Sequence, residues 1–129
     1  MNGEGPAEPS AHFMLSDVTV HRGARTIVDG VTTAIPEGRI TVLFGPSGAG
    51  KTSLLRLLNR LDEATSGRIT HRGVVLQDIP VRALRHRVGF VAQTPVLLPG
   101  TVRDNLCEAA VLAGLDRVGM EDRIREVLT

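Results

Sequence analysis

The chain has no tryptophan and no tyrosine, and three phenylalanines are its whole aromatic content. Single-stranded nucleic acid is held on stacking rings interleaved with basic residues, and that platform cannot be built from this composition. Charge of one sign is missing too. Fifteen basic and fourteen acidic residues leave a formal net charge of +1, which argues against a nucleic-acid partner and against a polybasic membrane anchor. A single cysteine, Cys107, excludes an internal disulfide and fits a reducing compartment. Its place in an expected helix reads as a small buried apolar residue rather than a reactive thiol. His12, His21, His71 and His86 are scattered without ligand spacing, so a metal site built from His and Cys is not expected. No apolar run approaches the roughly 20 residues that span a bilayer. The first eleven residues carry Gly3, Gly5 and Pro6 and lack the apolar core of a signal peptide. The expectation is an intracellular chain, soluble by itself.

Lysine is almost absent: of fifteen basic residues, fourteen are arginine and one, Lys51, is lysine. The other features are those of a globular domain. The chain has 129 residues, 42% of them hydrophobic, enough for one domain with a real core. Residues 1–11 read as a flexible lead and residues 12–129 as the domain.

Phe13 to Val20 alternates loosely and suggests a strand, with a turn at His21-Arg22-Gly23-Ala24-Arg25. Thr26 to Val28 and Val31 to Ile35 read as two further strands, and Ile40 to Phe44 as a buried one. Leu54, Leu55, Leu57, Leu58 and Leu61 share one face of a helix. Arg68 to Thr70 and Val74 to Leu76 flank His71-Arg72-Gly73 as a hairpin, followed by a short helix over Val81 to Arg87 and a strand over Val88 to Val91. Thr101 with Asp104 three residues on is a variant capping box. It opens a helix to Ala113, and another is expected over Glu121 to Leu128. There is no internal repeat.

Gly45-Pro46-Ser47-Gly48-Ala49-Gly50-Lys51-Thr52 satisfies G-x-x-x-x-G-K-[ST], the Walker A pattern. Its glycines let the chain curl so that successive amides point at phosphate oxygens. Lys51 is a compact ammonium on a flexible stem, suited to the β and γ phosphates where arginine would present a wider fork. The Thr52 hydroxyl suits Mg²⁺, and a helix starting near Lys51 directs its positive end at the same anion. The pattern follows an expected strand and precedes an amphipathic helix, the context its mechanism requires. ATP with Mg²⁺ is the expected ligand pair, held by Gly45 to Ser53.

Three kinds of phosphate-loop protein compete. A small GTPase reads guanine with an Asn-Lys-x-Asp element, which cannot exist when the sole lysine is in the loop. Asp116-Arg117-Val118-Gly119 imitates a D-x-x-G switch, but no strand precedes it. A nucleotide or metabolite kinase carries its loop on the first strand, whereas more than forty residues precede Gly45 here.

The third kind is the ATP-binding subunit of ABC transporters. Gly45 to Asn59 resembles that family's Walker A and following helix, and Thr65-Ser66-Gly67-Arg68-Ile69 its turn into an antiparallel β subdomain. Leu84 to Gln93 resembles its approach to the Q-loop, and Thr101 to Leu106 the opening of its helical subdomain. The resemblance runs from about residue 13 to the end. It implies an α/β fold of the P-loop NTPase class: a partial RecA-like core, an antiparallel β subdomain and the start of a helical subdomain.

The same resemblance assigns roles. Gln93 would act beside Lys51 in catalysis, placing its carboxamide near Mg²⁺ with Thr52 and linking the nucleotide to the membrane partner. Ser53 would approach the α-phosphate. The family stacks adenine on an aromatic residue just before the Gly23-like turn, and this chain has Arg22 there, beside His21. A guanidinium plane stacks on a base; a solvated surface arginine is the competing reading. The implied partners are a transmembrane transporter subunit and a second ATP-binding subunit, identical or not. The implied location is the cytoplasmic face of the cell membrane. Ala92-Gln93-Thr94-Pro95 with Thr101 to Leu106 is most like subunits that move phosphate or metal ions.

The family's signature sequence, Walker B aspartate, catalytic glutamate and switch histidine lie beyond the region matching Thr129, and none occurs among these residues. Asp78, after Val74-Val75-Leu76-Gln77, reads as a turn residue of the β subdomain. The expectation is therefore the N-terminal part of a transporter ATPase. The alternative is a non-hydrolysing nucleotide-binding module or a gene fragment without function.

Overall fold

The computed structural model describes residues 10–129. Most of the lead expected over residues 1–11 lies outside the described residues, and Ala11 already belongs to the first strand. The chain divides into two compact units between Phe90 and Val91.

In the first unit, β1 (Ala11–Arg22) and β2 (Arg25–Pro36) form a long antiparallel hairpin. The opposite edge of β1 pairs antiparallel with β3 (Ser66–His71), which pairs with β4 (Val74–Val75), giving the order β2-β1-β3-β4. Leu15 and Val18 are both fully buried although three residues apart. In a regular strand they would face opposite sides. A bulge reconciles them: Asp17 takes φ 51 and its amide donates to Thr32 Oγ1 at 2.9 Å, while the register shifts between Leu15 and Val18. Gly67 fits against this bulge, where an added Cβ would lie 2.2 Å from the Asp17 carbonyl oxygen.

The two strands expected over Thr26 to Val28 and Val31 to Ile35 are one, β2. Asp29-Gly30 does not break it, because the Gly30 amide finds an acceptor in Thr19 Oγ1 at 3.0 Å. The hairpin around Arg72-Gly73 forms as expected, then a single 3-10 turn over Leu76–Asp78 with Asp78 exposed, then α2 (Val81–Arg87). α1 (Lys51–Leu57) follows the glycine loop. Phe13, Leu15, Val18, Val20, Val28, Leu57, Leu58, Ile69, Leu76 and Leu84 make the core. Full burial of such a side chain contributes about 1.5–3 kcal/mol.

Ile40 to Phe44 differs from expectation. It joins no strand, and Ile40 and Phe44 are each 96% exposed. A strand of this composition needs neighbours for its amides and carbonyls and a cover for both faces, and among the described residues neither is supplied. Thr41, Val42 and Leu43 line an apolar cavity of about 350 Å³ with Leu15, Leu54 and Leu58. The strand expected over Val88 to Val91 is absent for the same reason, and Val91 is exposed.

The second unit holds α3 (Val102–Leu112) and α4 (Arg117–Leu128), packed through the buried Ala110 and Ile124. The capping box opens α3 as read from sequence. The Thr101 amide donates to Asp104 Oδ2 at 2.7 Å, and the Asp104 amide to Thr101 Oγ1 at 3.1 Å. Asp116, which imitates a switch aspartate, is the N-cap of α4 and accepts from the Gly119 amide at 2.8 Å. Among the described residues no helix is long and apolar enough to cross a membrane.

Candidate functional site

The loop from Gly45 to Gly50 is closed on itself by the Ala49 amide, which donates to the Pro46 carbonyl at 3.3 Å. Ser47, Gly48 and Ala49 are exposed at its crown. Gly50 is the N-cap of α1 with φ 86, and an added Cβ there would lie 2.3 Å from the Ile27 carbonyl oxygen of β2. Only glycine lets the loop turn into the helix this close to the sheet. The first intrahelical bond is Leu54 N to Gly50 O at 2.9 Å. The amides of Lys51, Thr52 and Ser53 therefore belong to the first turn, where a helix offers donors without internal acceptors.

Lys51 turns back over this loop. Its Nζ donates to the Gly45 carbonyl at 2.7 Å and the Pro46 carbonyl at 2.5 Å. An ammonium has three donors, so these two bonds orient the head across the loop and leave one for an anion. Thr52 is exposed in the first turn, and Ser53 is half-buried beside it. Among the described residues no group of three or more His, Cys, Asp and Glu could hold a metal ion. A cation here would rest on the Thr52 hydroxyl and on phosphate oxygens. That fits Mg²⁺, which keeps most of its waters and takes few protein ligands.

Arg22 stands at the end of β1 and is exposed. Its Nη2 donates to Asp62 Oδ2 at 2.9 Å. Asp62 also accepts from Arg56 of α1, through Nε at 2.9 Å. The Arg56 hydrogen bond is the first cause that holds the Asp62 carboxyl below the usual range. Burial opposes it, and the charges of Arg56 and Arg22 reinforce it. His21 is occupied locally, with Nδ1 3.1 Å from Thr26 Oγ1.

The C-terminal end of α1 is held by groups that sequence reasoning missed. The Leu61 amide donates to Arg56 O at 2.9 Å and the Arg60 amide to Leu57 O at 3.1 Å. This is a Schellman pattern, with Arg60 at φ 55 where glycine is usual. Arg85 of α2 donates to the carbonyls of Asn59 at 3.2 Å and Arg60 at 2.6 Å. A basic residue near helix-end carbonyls is favourable, but its partner lies 25 or 26 positions away in sequence. No local signal points to it.

The structure thus gathers Gly45, Pro46, Ser47, Gly48, Ala49, Gly50, Lys51, Thr52 and Ser53 into one loop and helix start. Arg22 joins the far end of that helix through Asp62. Gln93 belongs to the second unit, exposed in a bend.

Comparison with known proteins shows the family of most of this chain. The sequence pattern of the ABC transporter family matches residues 28–129. An ATP-dependent lipid A-core flippase of Methylococcus capsulatus is 42% identical over 99 residues, covering 77% of this chain and 16% of the flippase. The ABC transporter I family member 17 of Arabidopsis thaliana is 48% identical over 80 residues, covering 62% of this chain and 30% of that protein. The mycobactin import ATP-binding/permease protein IrtB of Mycolicibacterium thermoresistibile is 36% identical over 121 residues, 94% of this chain and 21% of IrtB. The chain therefore spans less than a third of the length of these relatives. Among solved structures, a bacterial Atm1-family ABC exporter with ATP bound superposes with a TM-score of 0.71 at 28% identity. It covers 83% of this chain, which covers 19% of it. Loop, fold and relatives agree: the chain belongs to the ABC transporter family and carries part of its P-loop NTPase nucleotide-binding domain.

Proposed function

We propose that the loop from Gly45 to Ser53 binds the phosphates of ATP together with Mg²⁺, and that the chain is part of an ATP-binding subunit that couples this binding to transport. The observation that carries the reading is the Lys51 ammonium, held across the loop by the Gly45 and Pro46 carbonyls at the start of α1. A fixed cation, first-turn amides and the N-terminal end of a helix converge there, the combination that favours a polyphosphate. Thr52 would hold Mg²⁺, which neutralises phosphate charge when bound. Lys51 binds and orients the β and γ phosphates, and Ser53 reaches the α-phosphate.

Arg22 offers a planar cation for the adenine ring, in place of the aromatic residue usual in the family. Gln93 would link the nucleotide to a transmembrane subunit, and a second ATP-binding subunit would complete each nucleotide site from the other side. The location that follows is the cytoplasmic face of a membrane. The relatives' names cover a lipid flippase, an osmoprotectant importer and a mycobactin importer.

The test is competition binding. A fluorescent ATP analogue with Mg²⁺ should be displaced from the 129-residue chain by ATP and by inorganic tripolyphosphate, but not by adenosine. Displacement by adenosine alone would place the affinity in the base and overturn the phosphate-loop reading.

A further inference from the structure

The turn after α1 carries a carboxylate for which the phosphate loop has no use. Asp62 receives Arg22 Nη2 and Arg56 Nε on the same oxygen, each at 2.9 Å, with Arg56 Nη2 3.4 Å from the other. Arg22 ends β1, and Arg56 lies on α1, whose first residue is Lys51. One carboxylate thus ties the strand end that bears the candidate base contact to the helix that bears the phosphate contact.

The backbone around Asp62 is fixed on both sides. The Leu61 and Asp62 amides donate to Arg56 O at 2.9 and 3.2 Å. The Thr65 amide donates to Thr19 O at 2.8 Å, and the His21 amide to Thr65 Oγ1 at 2.9 Å. The side chain of Asp62 is 23% exposed, against 59% for Arg22. Asp62 is the more buried partner and sits on a backbone hydrogen-bonded on both sides, so it places Arg22. The contact uses one edge nitrogen of the guanidinium. A planar cation held by its edge keeps both faces for an aromatic ring.

We propose that Asp62 is a positioning residue for base recognition, holding the Arg22 guanidinium where a purine stacks and, through Arg56, fixing that place relative to the phosphate loop. The proposal rests on reading Arg22 as the base contact and Gly45 to Ser53 as the phosphate contact. Asp62 itself touches no ligand. Its removal should therefore cost affinity for the base and spare affinity for the phosphates, a split that general loosening of the domain would not produce.

The experiment compares Mg·ATP with Mg·tripolyphosphate as ligands of the 129-residue chain. Arg22→Lys keeps a charge opposite Asp62 but removes the planar fork. It should weaken ATP by about 3–10-fold, the scale of a cation–π contact, and leave tripolyphosphate within about twofold. Asp62→Asn should reproduce that pattern, and the double variant should lose no more than Arg22→Lys alone, because both changes remove one interaction. If Asp62→Asn gives no cooperative melting transition, Asp62→Glu keeps the charge while shifting the guanidinium by a methylene, and the same split is expected. An unchanged ATP-to-tripolyphosphate ratio in either Asp62 variant, or full additivity in the double variant, overturns the proposal alone. Failure of the unsubstituted chain to bind either ligand overturns the phosphate-loop reading, and this proposal with it.

Discussion

His12 and His71 meet edge to face, their ring centres 4.7 Å apart and their planes at 89°. Phe13 packs against both rings, and neither His12 Nδ1 nor His71 Nε2 has a hydrogen-bond partner among the described residues. Burial is the first cause that holds His71 below the ordinary histidine value. The neighbouring His12, Arg72 and Arg87 add to it, and Glu37 opposes it. A lowered value means that the folded chain resists a proton which the unfolded chain accepts. The contribution to stability is then complete above the ordinary value, about 6.5, and is lost as pH falls below it toward the lowered folded value. The urea midpoint should hold steady from about pH 8 to 7 and decline below about 6.5. His71→Leu should flatten that decline; an equally steep decline in the variant would contradict the assignment.

Gly48 and Gly50 both take positive φ, 80 and 86, but only at Gly50 does an added Cβ meet backbone, the Ile27 carbonyl. Ala at a positive-φ position destabilises by more than about 0.4–1 kcal/mol. Gly48→Ala should therefore lower the melting temperature modestly. Gly50→Ala should lower it clearly more, because either the loop or β2 must move. Equal shifts in the two variants would show that the close approach to β2 is not rigid.

Thr101 and Asp104 satisfy each other's amides at the start of α3. The Thr101 amide is the first cause that holds the Asp104 carboxyl below the usual range, and the Thr101 hydroxyl is the second. Thr101→Ala should cost about 1 kcal/mol of helix stability. Amide hydrogen exchange should quicken in the first turn of α3 and stay unchanged in α1. Uniform quickening across both helices would contradict a local cap.

What was legible in the sequence is what local chemistry decides. The glycine loop with Lys51, the hairpin at Arg72-Gly73, the helix Val81–Arg87 and the Thr101 cap all formed where their residues predicted. Asp78 proved to be a turn residue, as its setting suggested, and Asp116, which only imitates a switch aspartate in sequence, caps α4. Ile40 to Phe44 failed as a strand because strand formation is a property of neighbours, and apolar β-branched composition supplies only half of it. The division of β2 was read at Asp29-Gly30, but Thr19 on the partner strand supplies the missing acceptor. The Arg22–Asp62–Arg56 group joins residues 40 and 6 positions apart. Arg22 was singled out for its place before a turn; nothing in the sequence marked Asp62 as its partner.

Hydrolysis by the 129-residue chain should be far below a transporter-like rate. Phosphoryl transfer depends on positioning and electrostatics. These residues include neither the Walker B aspartate nor the catalytic glutamate of the family's pattern. Steady-state phosphate release near the roughly 1–10³ s⁻¹ typical of enzymes, abolished in Lys51→Ala, would contradict this.

The central claim is that Lys51 holds the phosphates of Mg·ATP, and calorimetric titration of the folded chain against its Lys51→Ala variant tests it most directly. Hydrogen bonds to charged groups contribute roughly 1.5–3 kcal/mol, so the substitution should weaken binding by about 10–150-fold. The variant should keep its melting transition, since among the described residues Lys51 bonds only to loop carbonyls and is absent from the core. Affinity for Mg·ATP that is unchanged in a folded Lys51→Ala chain would contradict the account.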